Sequence, residues 1–129
     1  MVITGVRQVG LPATDLDRAI AFYRDILDLP FVARFASLAF FDAGGVRILL
    51  EAEESGAPAH RAGVLYLAVD EIDRRHAELT GRGIEFQSPP HAIFVDDEGR
   101  FGALCETELM AFFLDSEGNQ LALASRERR

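Results

Sequence analysis

His91 and Glu108 are the side chains of this chain best suited to moving a proton. An imidazole titrates near neutral pH, and a carboxylate beside it decides which ring nitrogen carries the proton, leaving the other as a general base. Both residues fall in stretches that read as neighbouring strands, so they pair only if the register turns them to one face. A slip of one residue sends Glu108 to the other. The alternative for His91 is an exposed histidine after Pro89-Pro90. His76 lies mid-helix with Ile72 and Leu79, where a half-buried, satisfied histidine is expected. His60 reads as an exposed loop residue. Cys105 stands in a strand-like run with no histidine nearby, so it is expected to be structural rather than nucleophilic. As the one cysteine it forms no internal disulfide and fits a reducing cytoplasm.

What must position these residues is a pattern that occurs twice. Gln8-Val9-Gly10-Leu11 leads into Asp15-Leu16-Asp17-Arg18, and Tyr66-Leu67-Ala68-Val69 leads into Glu71-Ile72-Asp73-Arg74. Phe40-Phe41-Asp42-Ala43-Gly44-Gly45-Val46-Arg47-Ile48-Leu49-Leu50 is echoed by Phe113-Leu114-Asp115-Ser116-Glu117-Gly118-Asn119-Gln120-Leu121-Ala122-Leu123. Such an echo means two copies of one supersecondary unit, with equivalent positions converging on a shared site.

Residues 2–11 read as a strand, followed by a helix capped by Thr14 or Asp15 that carries Leu16, Ile20, Tyr23 and Leu27 on one face. Pro30 ends it, and strands at 31–35, 38–42 and 46–51 follow, with Gly44-Gly45 turning the last hairpin. This first module spans 2–51. Residues 52–63 have linker composition. The second module, 64–125, opens with a strand at 64–69 and a helix capped by Asp70 and closed by Gly81. A strand starting at Ile84–Phe86 is interrupted by Ser88-Pro89-Pro90. A hairpin of 91–95 and about 102–114 follows, then a last strand at 119–124. The expected fold class is therefore α+β, a single domain 1–129 made of two βαβββ modules.

Strand parity gives each module two faces. Val9, Leu11, Ile48, Leu50, Leu65, Leu67, Val69, Leu121 and Leu123 form an apolar face for the helices. Gln8, Gly10, Arg47, Leu49, Glu51, Tyr66, Ala68, Gln120, Ala122 and Ala124 form a mixed one, small residues beside isolated polar groups. That mixture suits the wall of a ligand cavity better than a solvated sheet. Gln8, Arg47, Leu49, Tyr66, Met110 and Ala122 are the expected ligand-facing residues. Gln8 and Tyr66 occupy equivalent positions and either bind a ligand or hydrogen-bond each other. Arg47 either meets an anionic group or pairs with Glu51. Phe40 and Phe112 are placed to stack on a planar ligand.

Composition removes several classes. The chain has 129 residues and a net charge of −8, with arginine as its only fixed cation type, which disfavours nucleic acid. No apolar run approaches the ~20 residues that cross a bilayer, and no signal-peptide pattern is expected. A cytoplasmic globular protein with a small-molecule partner is the outcome.

The paired modules, with Asp15-Leu16-Asp17-Arg18-Ala19-Ile20-Ala21-Phe22-Tyr23 and the closing Asp115-Ser116-Glu117-Gly118-Asn119-Gln120-Leu121, resemble the vicinal oxygen chelate superfamily of glyoxalase I, bleomycin-resistance proteins and extradiol dioxygenases. The resemblance covers about 2–125. It implies a curled mixed sheet, a half-barrel around a cleft with helices on its outer face, often in a homodimer. It also implies a divalent metal (Zn, Ni, Mn or Fe) at positions that here carry Gln8, Leu49, Tyr66 and Ala122. Leucine and alanine cannot ligate, and neutral glutamine and tyrosine are poor ligands, so no cofactor is expected. A rearranged metal set of Glu51, His91 and Glu108 is the alternative. Gln8, Leu65-Tyr66, Pro90-His91 and Glu108 to Phe113 resemble a subgroup without the usual ligands. Three functions follow: metal-free binding of a small organic molecule, a metal-independent lyase or isomerase using His91 with Glu108 or Tyr66, and a metal-dependent glyoxalase-type lyase.

Overall fold

The computed structural model describes residues 4–53 and 63–129. The start of the first expected strand, His60 and most of the 52–63 linker lie outside the described residues. The chain divides into two compact units, Met1–Ala62 with Asp115–Asn119, and Gly63–Leu114 with Gln120–Arg129. Each module supplies one four-stranded mixed sheet. The class is α+β with two tandem βαβββ modules, as the repeat predicts.

In the first unit, β1 (Gln8–Ala13) and α1 (Leu16–Ala21) precede β2 (Phe31–Phe35), β3 (Leu38–Ala43) and β4 (Val46–Ala52). The strand order is β1-β4-β3-β2, with β1 parallel to β4 and the other pairs antiparallel. Gly44 and Gly45 have φ of +63° and +98°, the two positive values a two-residue hairpin turn needs. Asp15 caps α1, its carboxylate accepting from the Arg18 amide at 3.1 Å. The helix then widens into a π-helical turn, Phe22–Ile26, where the Leu27 amide reaches the Phe22 carbonyl. The wider turn lets consecutive Phe22 and Tyr23 both face inward. Leu16, Ala19 and Ile20 join them against Ala39, Phe41, Ile48 and Leu50. Burying a side chain such as Phe41 stabilises by about 1.5–3 kcal/mol.

In the second unit, β5 (Leu65–Ala68) and α2 (Ile72–Gly81) precede β6 (His91–Asp96), β7 (Glu106–Leu114) and β8 (Gln120–Glu127). The order is β5-β8-β7-β6, repeating the first sheet. Leu109, Ala111, Phe113, Leu121 and Leu123 are buried with Ile72 on the helix side. His76 is half-buried against Phe86, ring centroids 4.2 Å apart, as expected of a packed histidine.

Three local expectations are corrected here. Asp70 does not cap α2; it pairs with Arg75, and Glu71 takes the cap position at φ +47° with no side-chain hydrogen bond. The Ile72 amide instead donates to Glu127 Oε2 at 3.0 Å, a partner 55 residues away. Gly81 is still helical. The stop is Gly83 at φ +104°, where the Gly83 and Ile84 amides bond the Thr80 and Leu79 carbonyls in a Schellman arrangement. Ile84–Phe86 forms no ladder, because the chain joins β7 only through the Gln87 amide to the Phe112 carbonyl.

The segment Asp115–Asn119 links β7 to β8 in sequence but packs as part of the first unit. Asp115 Oδ1 accepts from the Glu117 and Asn119 amides, both at 2.8 Å. Its Oδ2 accepts from the Tyr23 hydroxyl at 2.7 Å and Asn119 Nδ2 at 2.8 Å. Asn119 Nδ2 also donates to the Pro12 carbonyl. Burial, then the adjacent Asp115 carboxylate, pushes the Tyr23 phenol far above its ordinary range, so it stays a donor. Glu117 accepts from the Asp15 amide at 2.8 Å and from Arg18 at 2.8 and 3.1 Å. A capping box normally uses a glutamate three residues past the cap; Arg18 stands there, and Glu117 takes the role from 102 residues away. Replacing Glu127 by alanine removes the equivalent support from α2. It is expected to lower the thermal midpoint by a few degrees, for a loss of about 1–2 kcal/mol read by calorimetry.

Candidate functional site

The mixed face of the second sheet gathers most of the residues singled out for chemistry. Tyr66 is the register partner of Ala122 on β8, and Phe112 is the partner of Ala122 from the other side. The Tyr66 and Phe112 rings meet edge to face over this alanine at 6.3 Å. Ala122 is fully buried beneath them, while Tyr66 remains half exposed. A methyl group at 122 is what lets two rings share one spot. His91 is the register partner of Met110, and its ring lies 6.1 Å from Phe112. Tyr66, Phe112, His91 and Met110 thus lie together on one face, an aromatic surface with a phenol and an imidazole at its margins.

The register also turns Glu108 to this face, but opposite Phe94 and Arg126 rather than His91. A bulge between Ala92 and Phe94 keeps His91 and Phe94 on the same side despite the odd spacing. His91 Nδ1 lies 3.0 Å from the Pro89 carbonyl. A carbonyl only accepts, so Nδ1 carries the proton and Nε2 is the basic nitrogen of the neutral ring. The tautomer-setting role expected of Glu108 is thus filled by backbone, on the diproline that sequence reading treated as a mere strand break.

Glu108 belongs to a charged group at the far end of the same face. Arg126 Nη2 is 2.9 Å from Asp96, Nε is 3.4 Å from Glu106, and Nη1 is 3.9 Å from Glu108. That Nη1 is buried and makes no hydrogen bond. Asp96 also accepts from the Arg100 and Phe101 amides at 2.9 Å. The Phe101 amide, against burial and helped by the Arg100 amide and Arg126, holds the Asp96 carboxyl below its ordinary range. Three carboxylates share one guanidinium, leaving local negative charge beside the aromatic surface. Arg126 reaches this face because it alternates with Ala124 and Ala122 along β8.

In the first sheet, Gln8 and Arg47 are register partners on the mixed face, as are Gly10 and Leu49. Arg47 forms no ion pair with Glu51. Its guanidinium lies over the Phe40 ring at 6.0 Å, a cation–π contact. Glu51 is exposed beside Leu38 and Pro12. Leu49 packs beside Phe40.

Two βαβββ modules, each with its first strand parallel to its last, define a class of duplicated-module proteins. Residues 5–123 match the Glyoxalase family, described as the Glyoxalase/Bleomycin resistance protein/Dioxygenase superfamily, and the chain belongs to it. Among solved structures it is similar to a glyoxalase/bleomycin resistance protein/dioxygenase from Nocardioides, at 22% identity and a TM-score of 0.74, covering 97% of this chain and 85% of that one. It is also similar to lactoylglutathione lyase from Agrobacterium tumefaciens, at 22% identity and 0.72, covering 95% and 94%. An integron cassette protein of V. Cholerae matches at 18% identity and 0.74, covering 97% of each chain. These likenesses show the fold. No curated protein matches the chain.

The superfamily implies a divalent ion, and the donor chemistry here does not fit one. Leu49 and Ala122 have no lone pair to give, and Gln8 and Tyr66 are neutral. Of the rearranged set, His91 is held by Pro89 and Glu108 stands beside Arg126. Among the described residues no three His, Cys, Asp or Glu side chains form a group that could hold a metal. Among those residues, too, no helix is long and apolar enough to cross a membrane.

Proposed function

We propose that the protein binds a small organic molecule on the mixed face of its second sheet, without a metal, in the manner of binding or sequestration. The observation that carries this is the Tyr66–Phe112 ring pair over Ala122, flanked by His91 and Met110. Such a surface buries a flat apolar body and offers two polar tips to orient it. The carboxylates around Arg126 and the net charge of −8 favour a ligand that carries positive charge. Bleomycin, which gives one branch of the superfamily its name, is a fitting first probe. The same proposal includes a cytoplasmic homodimer; the exposed thiol of Cys105 suits a reducing compartment.

Native mass spectrometry of the purified chain, followed by calorimetric titration, tests it. Tyr66→Ala is expected to weaken binding roughly tenfold, the worth of one lost ring contact, with little change in thermal midpoint because the ring is half exposed. A variant that binds as tightly as the parent overturns the assignment.

One observation favours a second reading, a metal-independent lyase or isomerase. With Nδ1 tied to Pro89, His91 Nε2 is free to take a proton from a bound carbonyl compound. That reading requires turnover that disappears in His91→Ala. Binding without any product excludes it.

A further inference from the structure

We propose that the mixed face of the first sheet carries a binding site of its own, for a small carboxylate whose flat apolar body lies over Gly10 while its charge meets Arg47. The site stands on the first sheet by itself and does not rest on the reading of Tyr66 and Phe112. Among the described residues Gly10 is the one glycine inside a strand. Glycine there costs backbone entropy and packs nothing, so its presence calls for a cause. The other causes fail. The β1–β4 register runs unbroken from Gln8 opposite Arg47 to Ala13 opposite Ala52, which leaves no bulge. Gly10 is not among the glycines with positive φ, so the backbone does not demand it. No atom of the described residues lies within 4 Å of the place its Cβ would take, so no neighbouring chain crowds it. Close approach of a ligand is the use that is left.

The missing side chain opens a gap on β1 between Gln8 and Pro12. Its floor is apolar. Leu49 is the register partner of Gly10, Phe40 that of Leu49, and Ala33 that of Phe40. Gln8 and Arg47, register partners of each other, stand at one end of it, and both are exposed.

Arg47 supplies the charge. Arg18, Arg24, Arg34, Arg74, Arg75 and Arg126, the other arginines of the described helices and strands, are each paired with a carboxylate. Arg47 has no such partner among the described residues, in a chain with 21 acidic residues against 13 basic ones. Asp42, opposite it on β3, accepts from the Gly45 amide at 3.0 Å instead. A guanidinium lying over the Phe40 ring keeps its edge N–H groups for a planar acceptor, and a carboxylate takes two of them at once. The Gln8 carboxamide adds a donor from the next strand.

Nuclear magnetic resonance titration of the isotope-labelled chain with benzoate tests the site, with the Gly10 amide and Arg47 Nε as reporters. Benzoate is expected to move both along one saturable curve. Benzamide, its neutral analogue, is expected to bind at least about tenfold more weakly, the worth of a charge-assisted hydrogen bond. Arg47→Gln, at an exposed position, is expected to weaken benzoate by a similar factor. Gly10→Val fills the gap with a side chain that strands favour; it is expected to abolish binding without lowering the thermal midpoint. Titration without saturable shifts overturns the site. Benzamide binding as tightly as benzoate, or Arg47→Gln binding benzoate like the parent, overturns the carboxylate assignment. A folded Gly10→Val that binds like the parent overturns the gap. If Gly10→Val does not fold, Gly10→Ala, which adds only the Cβ, decides by the same titration.

Discussion

Replacing Asp115 by alanine is expected to destabilise the protein by about 3–5 kcal/mol, a fall in thermal midpoint on the order of 10–20 °C. The carboxylate is buried and receives four hydrogen bonds, from Tyr23, from Asn119 Nδ2 and from the Glu117 and Asn119 amides. Alanine leaves the Tyr23 hydroxyl orphaned in the core of the first unit, where each unpaired polar group costs about 1–3 kcal/mol. The four losses are not additive, because they belong to one network. Tyr23→Phe removes one of the four donors and is expected to cost about 1–2 kcal/mol. In an Asp115→Ala background the same change costs less, since the hydroxyl has already lost its acceptor. A calorimetric double-mutant cycle reads this directly. An Asp115→Ala midpoint within two or three degrees of the parent contradicts the network's role.

This network shows where sequence reading succeeds and where it stops. The repeat made the modules, strand parity and mixed face legible, because alternation of apolar and polar side chains is a local property. Asp42 and Asp115 are equivalent in the repeat, yet they do different work. Asp42 accepts one turn amide, from Gly45, in a hairpin near solvent, while Asp115 organises a buried cluster. Nothing local distinguishes them, because the partners of Asp115 are Tyr23 and the Asn119 that reaches Pro12, roughly a hundred residues back. The caps fail in the same way. Asp70 has the composition of a cap, but Glu127 lies closer to the first amide of α2. The pairing of His91 with Glu108 depends on a register that the sequence leaves open to a slip of one residue; both lie on one face, yet the bulge in β6 sets Glu108 against Phe94. A bulge is a choice between nearly equal registers, settled by packing that no short window contains.

The charge on Glu117 gives the second large effect and a pH signature to go with it. Its side chain is fully shielded from solvent. Burial is the strongest single influence and pushes its pKa up. The Arg18 hydrogen bond, the Asp15 amide and the Ser116 hydroxyl together outweigh it, holding the carboxyl below its ordinary range. A carboxylate depressed in the folded state contributes stability above its unfolded pKa, near 4.3, and loses it as pH falls through the lower folded value. Glu117→Gln keeps the shape but turns an amide NH2 toward a guanidinium donor. It is expected to cost about 2–4 kcal/mol at pH 7. As pH falls below that ordinary range, the parent protonates and its advantage shrinks. Denaturant titrations of both proteins between neutral and strongly acidic pH are therefore expected to converge at the acid end. Asp96 and Glu127, also depressed, are present in both proteins and cancel from the difference. A gap that stays constant across the acid range means that the fold depends on the shape of Glu117 and not on its ionisation.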